Sequence, residues 1–520
     1  MAASLFWIAI ITAIYLVMIL CLGYLGYKKT KAAEDYLVAG RNAHPVVIAL
    51  SYGATFISTS AIVGFGGQAA NLGMGLIWLT VFNIGVGILL AFVIFGKKTR
   101  EVGSRLKAIT FPDLMGKVYS SQFMQVVSGL VIIIGMPLYT AAVLIGGAQF
   151  IKETLGISYS VSLIGFAIIV AIYVIFGGLI AVMYTDAVQG AIMLVGMTFL
   201  LIFTYVILGG VEAAHTALTN MANLVPTKLA EQGMNGWTVM PDLGSPIWFT
   251  LVTTLVLGVG IGVLAQPQLV VRFMTAKDNR SLNRAVLVGG PFILMMTGVA
   301  FTVGALTNVY FYQAKGTLAV AAAGGNVDSV IPLFINLATP DWFTVLFMVT
   351  LLAAAMSTLS SLFHTMGTAL ICDLWGRGRE CALSLKANQA GVLIMIIISL
   401  IVAFLMPGSI IALATAMFMG LCASAFLPVF AVAVYCKKPD PLAAKVSLMV
   451  GAVVWFVWAL FVNAKYAAVF GLSTAVLGTT SVLTYPWNAM DPIIIGLPLS
   501  ALTILILQAR SGMRKESTPA

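Results

Sequence analysis

Residues 49–75 read "ALSYGATFISTSAIVGFGGQAANLGMG", and residues 254–273 read "TLVLGVGIGVLAQPQLVVRF". Both stretches are apolar enough to lie in a bilayer, and both are interrupted. The first carries Ser51, Thr55, Ser58, Thr59 and Ser60 ahead of Gly64, Gly66 and Gly67. The second carries Gly258, Gly260 and Gly262 ahead of Pro267. Glycines here would let a membrane helix unwind, freeing carbonyls to bind a cation and N–H groups to meet an anion. The other use of such small residues is close packing against a neighbouring helix. Two interrupted helices in corresponding halves of a chain favour the first use, because they mark the binding site of a secondary transporter.

The rest of the chain supplies those halves. Its 520 residues are 61% hydrophobic and 8% charged, against about 25% charged in a soluble domain. Thirteen apolar runs can be read, at 4–27, 46–71, 76–96, 123–151, 161–184, 187–209, 247–270, 286–312, 343–370, 390–407, 409–435, 446–469 and 493–509. Runs of this kind cross a hydrocarbon core of ~30 Å. With no water to satisfy the backbone, they must be helices. An all-α integral membrane protein of 13 transmembrane helices is therefore expected. The interrupted helices are spans 2 and 7. Five is odd, so spans 2–6 and 7–11 would be oppositely oriented, as an inverted repeat.

The expected organisation is a first helix and loop (1–45), a first repeat (46–209), an extracellular loop (210–246), a second repeat (247–435), and two peripheral helices with a short tail (436–520). Twenty-three of the 27 Lys and Arg residues fall in alternate loops; only Lys152, Lys228, Lys315 and Lys465 lie opposite. The positive-inside rule then puts the N-terminus outside and the C-terminus inside. This distribution reads the net charge of +10 as topology rather than affinity for nucleic acid.

No G-x-x-x-x-G-K-[ST] loop is present, so no nucleotide is expected as a partner. The three histidines, His44, His215 and His364, have no ligand spacing, and no Ser/His/Asp set converges. The chain is not expected to be an enzyme or to hold a cofactor. Uphill movement of a solute would draw on an ion gradient across the bilayer.

Two further stretches carry chemistry. Asp186 ends a hydrophobic run in "FGGLIAVMYTDAVQGAIM" with no basic residue near it in sequence, which marks a functional carboxylate. A capping box with Gln189 is the alternative. In "LLAAAMSTLSSLFHTMGTALICDLW", Ser357, Thr358, Ser360 and Ser361 gather hydroxyls beside Ala353, Ala354 and Ala355. Sodium is a hard cation suited to neutral oxygens, although hydroxyls can also bond back to the i−4 carbonyl. His364, one turn on, reads as a packed core histidine.

These stretches resemble the sodium:solute symporter family, through Gly177, Gly178, Ala181, Val182, Thr185, Asp186, Gln189 and Gly190, and through Ala354, Ser357, Thr358 and Ser360. The resemblance implies a leucine-transporter-like 5+5 inverted-repeat core in spans 2–11. It implies a main sodium site from the carbonyls of Ala54, Ile57 and Ala354 with the hydroxyls of Ser357 and Thr358. A second sodium site, found in some members, would use Asp186, Ser360 and Ser361. One or two sodium ions per cycle stay open.

"ATFISTSAIVGFGG", "LIGGAQFI" and "PQLVVRFMTAKDN" look most like the pantothenate and monocarboxylate branch. Proline-type carriers of the family have an Asp where Phe56 stands. The substrate helices read as free of Arg and Lys, so an anion would rest on a half-helix dipole and on Ser58, Thr59, Ser60, Tyr139 and Gln266. A small organic acid imported with sodium through a prokaryotic cytoplasmic membrane is the expectation. An amino acid such as proline, another neutral solute, or a passive channel or transceptor are the alternatives.

Overall fold

The computed structural model describes residues 2–29, 37–41, 43–376 and 385–516. Among the described residues, eleven helices are long and apolar enough to cross a membrane, and a bent pair makes a twelfth. Among the described residues there is no strand, only an isolated bridge between Ala43 and Ala276. The difference from thirteen lies at Tyr159–Ile172, an apolar stretch shorter than a span that precedes Leu179–Ile207. Both belong to one helix, Tyr159–Ile207, of 49 residues. At roughly 1.5 Å per residue that helix is far longer than a bilayer needs.

Burial orders the helices. The window in Asp341–Trp375 is 94% buried, whereas those in Phe6–Gly26 and Ile493–Ser511 are 17% and 22% buried. The hydroxyl-bearing helix is therefore the centre of the bundle, and the first and last helices are its lipid-facing periphery.

The bent pair is Pro45–Phe56 and Ser60–Leu72, with 53° between the halves. Pro45 opens the first half under a His44 cap. Ile57 turns extended (φ −91°, ψ 106°) and ends it. Ser58 starts the second half: its Oγ accepts from the Ser60 N–H at 3.1 Å, and its carbonyl accepts from Ala61 and Ile62. The break thus lies at Ile57–Thr59, ahead of the glycines rather than at them. The second break follows Ala265, at Gln266 (ψ 119°) before Pro267, where proline disfavours helix in the residue before it.

The expected unwinding role of Gly64, Gly66 and Gly67 is corrected accordingly. A Cβ on Gly67 would lie 2.1 Å from the Val327 carbonyl oxygen, and one on Gly64 would lie 2.5 Å from Ile411. A Cβ on Gly304 would likewise lie 2.1 Å from the Gly66 carbonyl. These glycines allow backbones to touch. Gly262 does the same against the Met419 backbone, and Gly260 makes room for the Phe82 side chain.

The segment pressed onto Gly67 is a short helix, a 3-10 turn Val327–Ser329 running into Val330–Ala338, in the loop after helix Asn279–Lys315. Asp328 ties it down: one carboxylate oxygen accepts from the N–H groups of Ile410 (3.0 Å) and Ile411 (3.3 Å), at the start of helix Ile411–Tyr435. Burial pushes its carboxyl up to about 7, against the pull of those two N–H groups.

Two outcomes are expected. Gly67→Ala must displace the Val327 backbone, an overpacking cost of about 1–3 kcal/mol. Its melting midpoint in detergent should fall, while Gly23→Ala, with nothing within 4 Å of the new methyl, should not lower it. Separately, the docked short helix holds the Asp328 proton more tightly than an exposed carboxyl near 3.9. Docking is therefore strongest below that value and weakens as pH rises through about 7. Hydrogen exchange of 327–338 should quicken from pH 6 to 8 beyond the intrinsic change, and Asp328→Asn should remove that excess.

Candidate functional site

The break in the first interrupted helix leaves its last carbonyls without intrahelical partners. Helix Asp341–Thr368 meets them. Ser357 Oγ donates to the Ala54 carbonyl at 2.8 Å and lies 3.2 Å from that of Ala354. Thr358 Oγ1 donates to the Thr55 carbonyl at 2.9 Å and reaches that of Ala54 at 3.4 Å. All are buried. The structure therefore gathers Ala54, Ala354, Ser357 and Thr358 into one cluster of neutral oxygens and adds Thr55 to it. Ile57 stands at the break with its N–H on the Gly53 carbonyl. This donor set suits a hard monovalent cation. No group of three His, Cys, Asp or Glu residues able to hold a metal occurs among the described residues.

One turn from this cluster lies Asp186. Expected at the end of a span, it instead sits inside helix Tyr159–Ile207, fully buried. Gln189 is not its capping partner: its amide donates to Tyr15 Oη at 2.9 Å. A carboxylate can stay at that depth because a cation meets it. Arg272 Nη2 lies 2.8 Å from Asp186 Oδ2, with side chains 1% and 0% exposed. Arg272 belongs to Pro267–Met274, the half-helix after the second break. The expectation of substrate helices without Arg or Lys is corrected here, because the helix runs past residue 270. Ser361 Oγ joins Arg272, whereas Ser360 Oγ donates to the Ser357 carbonyl at 3.0 Å. His364 is buried and lines a cavity with Arg272, Gln268 and Thr110.

A second cavity opens beside the first break. Its polar lining is Ser58, Ser60, Asn83, Tyr139, Thr297 and Thr415, with Phe56, Phe65, Phe301 and Met419 among its apolar walls. Tyr139 Oη donates to Ser58 Oγ at 3.4 Å. Ser60 Oγ and Asn83 Oδ1 are buried without a partner, which points to a ligand for them. Three of the five expected contacts, Ser58, Ser60 and Tyr139, are thus on this cavity. Thr59 turns away and donates to the Val143 carbonyl at 2.9 Å. Gln266 accepts from Gln268 at the second break, outside the lining. Asn83, Thr297 and Thr415 were not anticipated. Of these, Asn83 had a signal, as the lone amide within its apolar run.

The chain resembles known proteins along most of its length. The profile of the sodium:solute symporter family matches residues 36–451. A sodium/proline symporter 2 of Staphylococcus saprophyticus is 27% identical over 493 residues, covering 91% of each chain. A sodium/pantothenate symporter of Haemophilus influenzae is 29% identical, covering 84% of this chain and 87% of its own. Among solved structures, a Na+-coupled sialic acid symporter in a substrate-bound outward-open state superposes with a TM-score of 0.72 at 18% identity, covering 96% of both chains. Its likeness is one of fold. A multi-pass helical membrane protein matched by this profile over most of its length is a transporter rather than an enzyme, and the chain belongs to the sodium:solute symporter family.

Proposed function

We propose that the protein imports a small organic acid, of the pantothenate or monocarboxylate kind, together with sodium bound by Ala54, Ile57, Ala354, Ser357 and Thr358. The observation that carries the substrate class is the cavity beside the break. It has no charged side chain in its lining, and Phe56 forms part of its wall. The ammonium of an amino acid would find no carboxylate there. Ile57 belongs both to that lining and to the sodium set, so the sodium ion itself is the nearest positive charge for a carboxylate. Ser60 Oγ and Asn83 Oδ1 would supply a donor and an acceptor for the rest of the solute. The proline reading keeps one support: the similarity of 91% of the chain to a sodium/proline symporter.

The membrane arrangement in this proposal has thirteen crossings, which requires Tyr159–Ile172 and Leu179–Ile207 to cross separately, with the N-terminus outside, the C-terminus inside and repeats at 46–209 and 247–435. The prokaryotic cytoplasmic membrane is its location. Alternating movement of the two repeats would expose the cavity first to one side and then to the other.

Uptake into proteoliposomes under an inward sodium gradient tests the substrate class. Sodium-dependent uptake of labelled pantothenate or a short monocarboxylate, uncompeted by proline, is expected. Sodium-dependent uptake of proline, uncompeted by such acids, would favour the amino-acid reading. Within the sodium set, Ser357→Ala and Thr358→Ala each remove a hydroxyl bound to a charged ion, a contact worth about 1.5–3 kcal/mol. Half-saturating sodium should rise about tenfold or more in each variant, at 1.4 kcal/mol per tenfold. Equal sodium dependence in parent and variants would exclude the assignment.

A further inference from the structure

The oxygens that could form a second sodium site already surround a cation. Arg272 Nη2 lies 2.5 Å from Ser361 Oγ, 2.6 Å from Thr55 Oγ1 and 2.8 Å from Asp186 Oδ2. Its Nε donates to Ser51 Oγ at 3.0 Å, and Nη1 donates to the Gln268 carbonyl at 2.8 Å. Ser51 in turn donates to Asp186 Oδ2 at 2.9 Å, and Thr55 Oγ1 lies 3.2 Å from the same oxygen. One nitrogen thus sits among two hydroxyls and a carboxylate, in the place where a small cation would sit.

We propose that Arg272 is the resident cation of this second site, so that the protein binds one sodium ion, at the main site, and admits a second only when Arg272 is removed. Among the described residues, the carboxylate paired with this guanidinium is Asp186. Adding sodium to the same buried cage would place two like charges side by side against that carboxylate, which burial penalises steeply. The guanidinium is tethered to its half-helix, so it competes with free sodium at a high local concentration. The two positions also share framework. Thr55 offers its carbonyl to the main site and its hydroxyl to Arg272, and Ser361 Oγ donates to the carbonyl of Ser357 at 3.2 Å. For a monovalent acid, a single sodium makes transport electroneutral.

This inference rests on the sodium-coupled reading, and counting sodium separates the two. Equilibrium binding of 22Na+ to the purified full-length protein should give one site per chain in the parent. Arg272→Ala should give two, and Arg272→Ala/Asp186→Asn should return to one. Arg272→Ala/Ser357→Ala should keep the new site while weakening the original. If Arg272→Ala does not survive purification, Arg272→Gln, which keeps a long neutral side chain, carries the same comparison. Two sites in the parent would overturn the inference, as would one site in a folded Arg272 variant. No saturable sodium in the parent would instead overturn the sodium-coupled reading itself.

Discussion

A backbone carbonyl inside a bilayer must be satisfied by something other than water, and the break at Ile57–Thr59 strands several at once. Everything at the centre of this protein answers that constraint. The carbonyls of Ala54 and Thr55 reach across to Ser357 and Thr358, on the most deeply buried of the spanning helices. A hydroxyl can donate to such a carbonyl, and it can also turn an oxygen lone pair towards a cation. The same residues therefore stabilise the break and, in the proposed function, hold sodium. On that proposal the bend and the ion site depend on each other.

The same logic governs the charges. Asp186 and Arg272 come from different helices and lie 86 residues apart, yet each is tolerable at depth only because of the other. Their pairing ties the half-helix after the second break to Ser51 and Thr55 before the first. Both interruptions are thereby joined through one polar cluster, with the cavity lined by Ser58, Ser60 and Asn83 beside the first break. The glycines act at a different level: they bring backbones into contact along Gly66, Gly67 and Gly304, holding the second half-helix against the short helix that Asp328 docks.

Local patterns were legible in the sequence, and contacts between distant segments were not. Interrupted apolar runs and a hydroxyl cluster are one-dimensional features, and they led to Ser357 and Thr358; the carbonyls of Ala54 and Ala354 came from the family resemblance. Ser58, Ser60 and Tyr139 also reach the cavity expected for them. Gly64, Gly66 and Gly67 show where composition misleads. Glycine serves both unwinding and close packing, and only the neighbouring atoms decide between them. Thr59 failed for a similar reason, since hydroxyls in adjacent residues point to different sides of a helix start. Arg272 was set aside because it follows the apolar run, although its half-helix continues to Met274. Asn83, Thr297 and Thr415 come from three separate helices and are joined only by the fold.

The central claim is that sodium binds where the broken helix meets helix Asp341–Thr368. Hydrogen–deuterium exchange in lipid nanodiscs, compared in sodium and in potassium at equal ionic strength, tests it most directly. An ion bound to the Ala54 carbonyl and the Ser357 and Thr358 hydroxyls should slow exchange of the amides in 54–62 and 354–361 in sodium alone. Exchange in both segments that is the same in the two salts, at sodium concentrations that saturate transport, would contradict it.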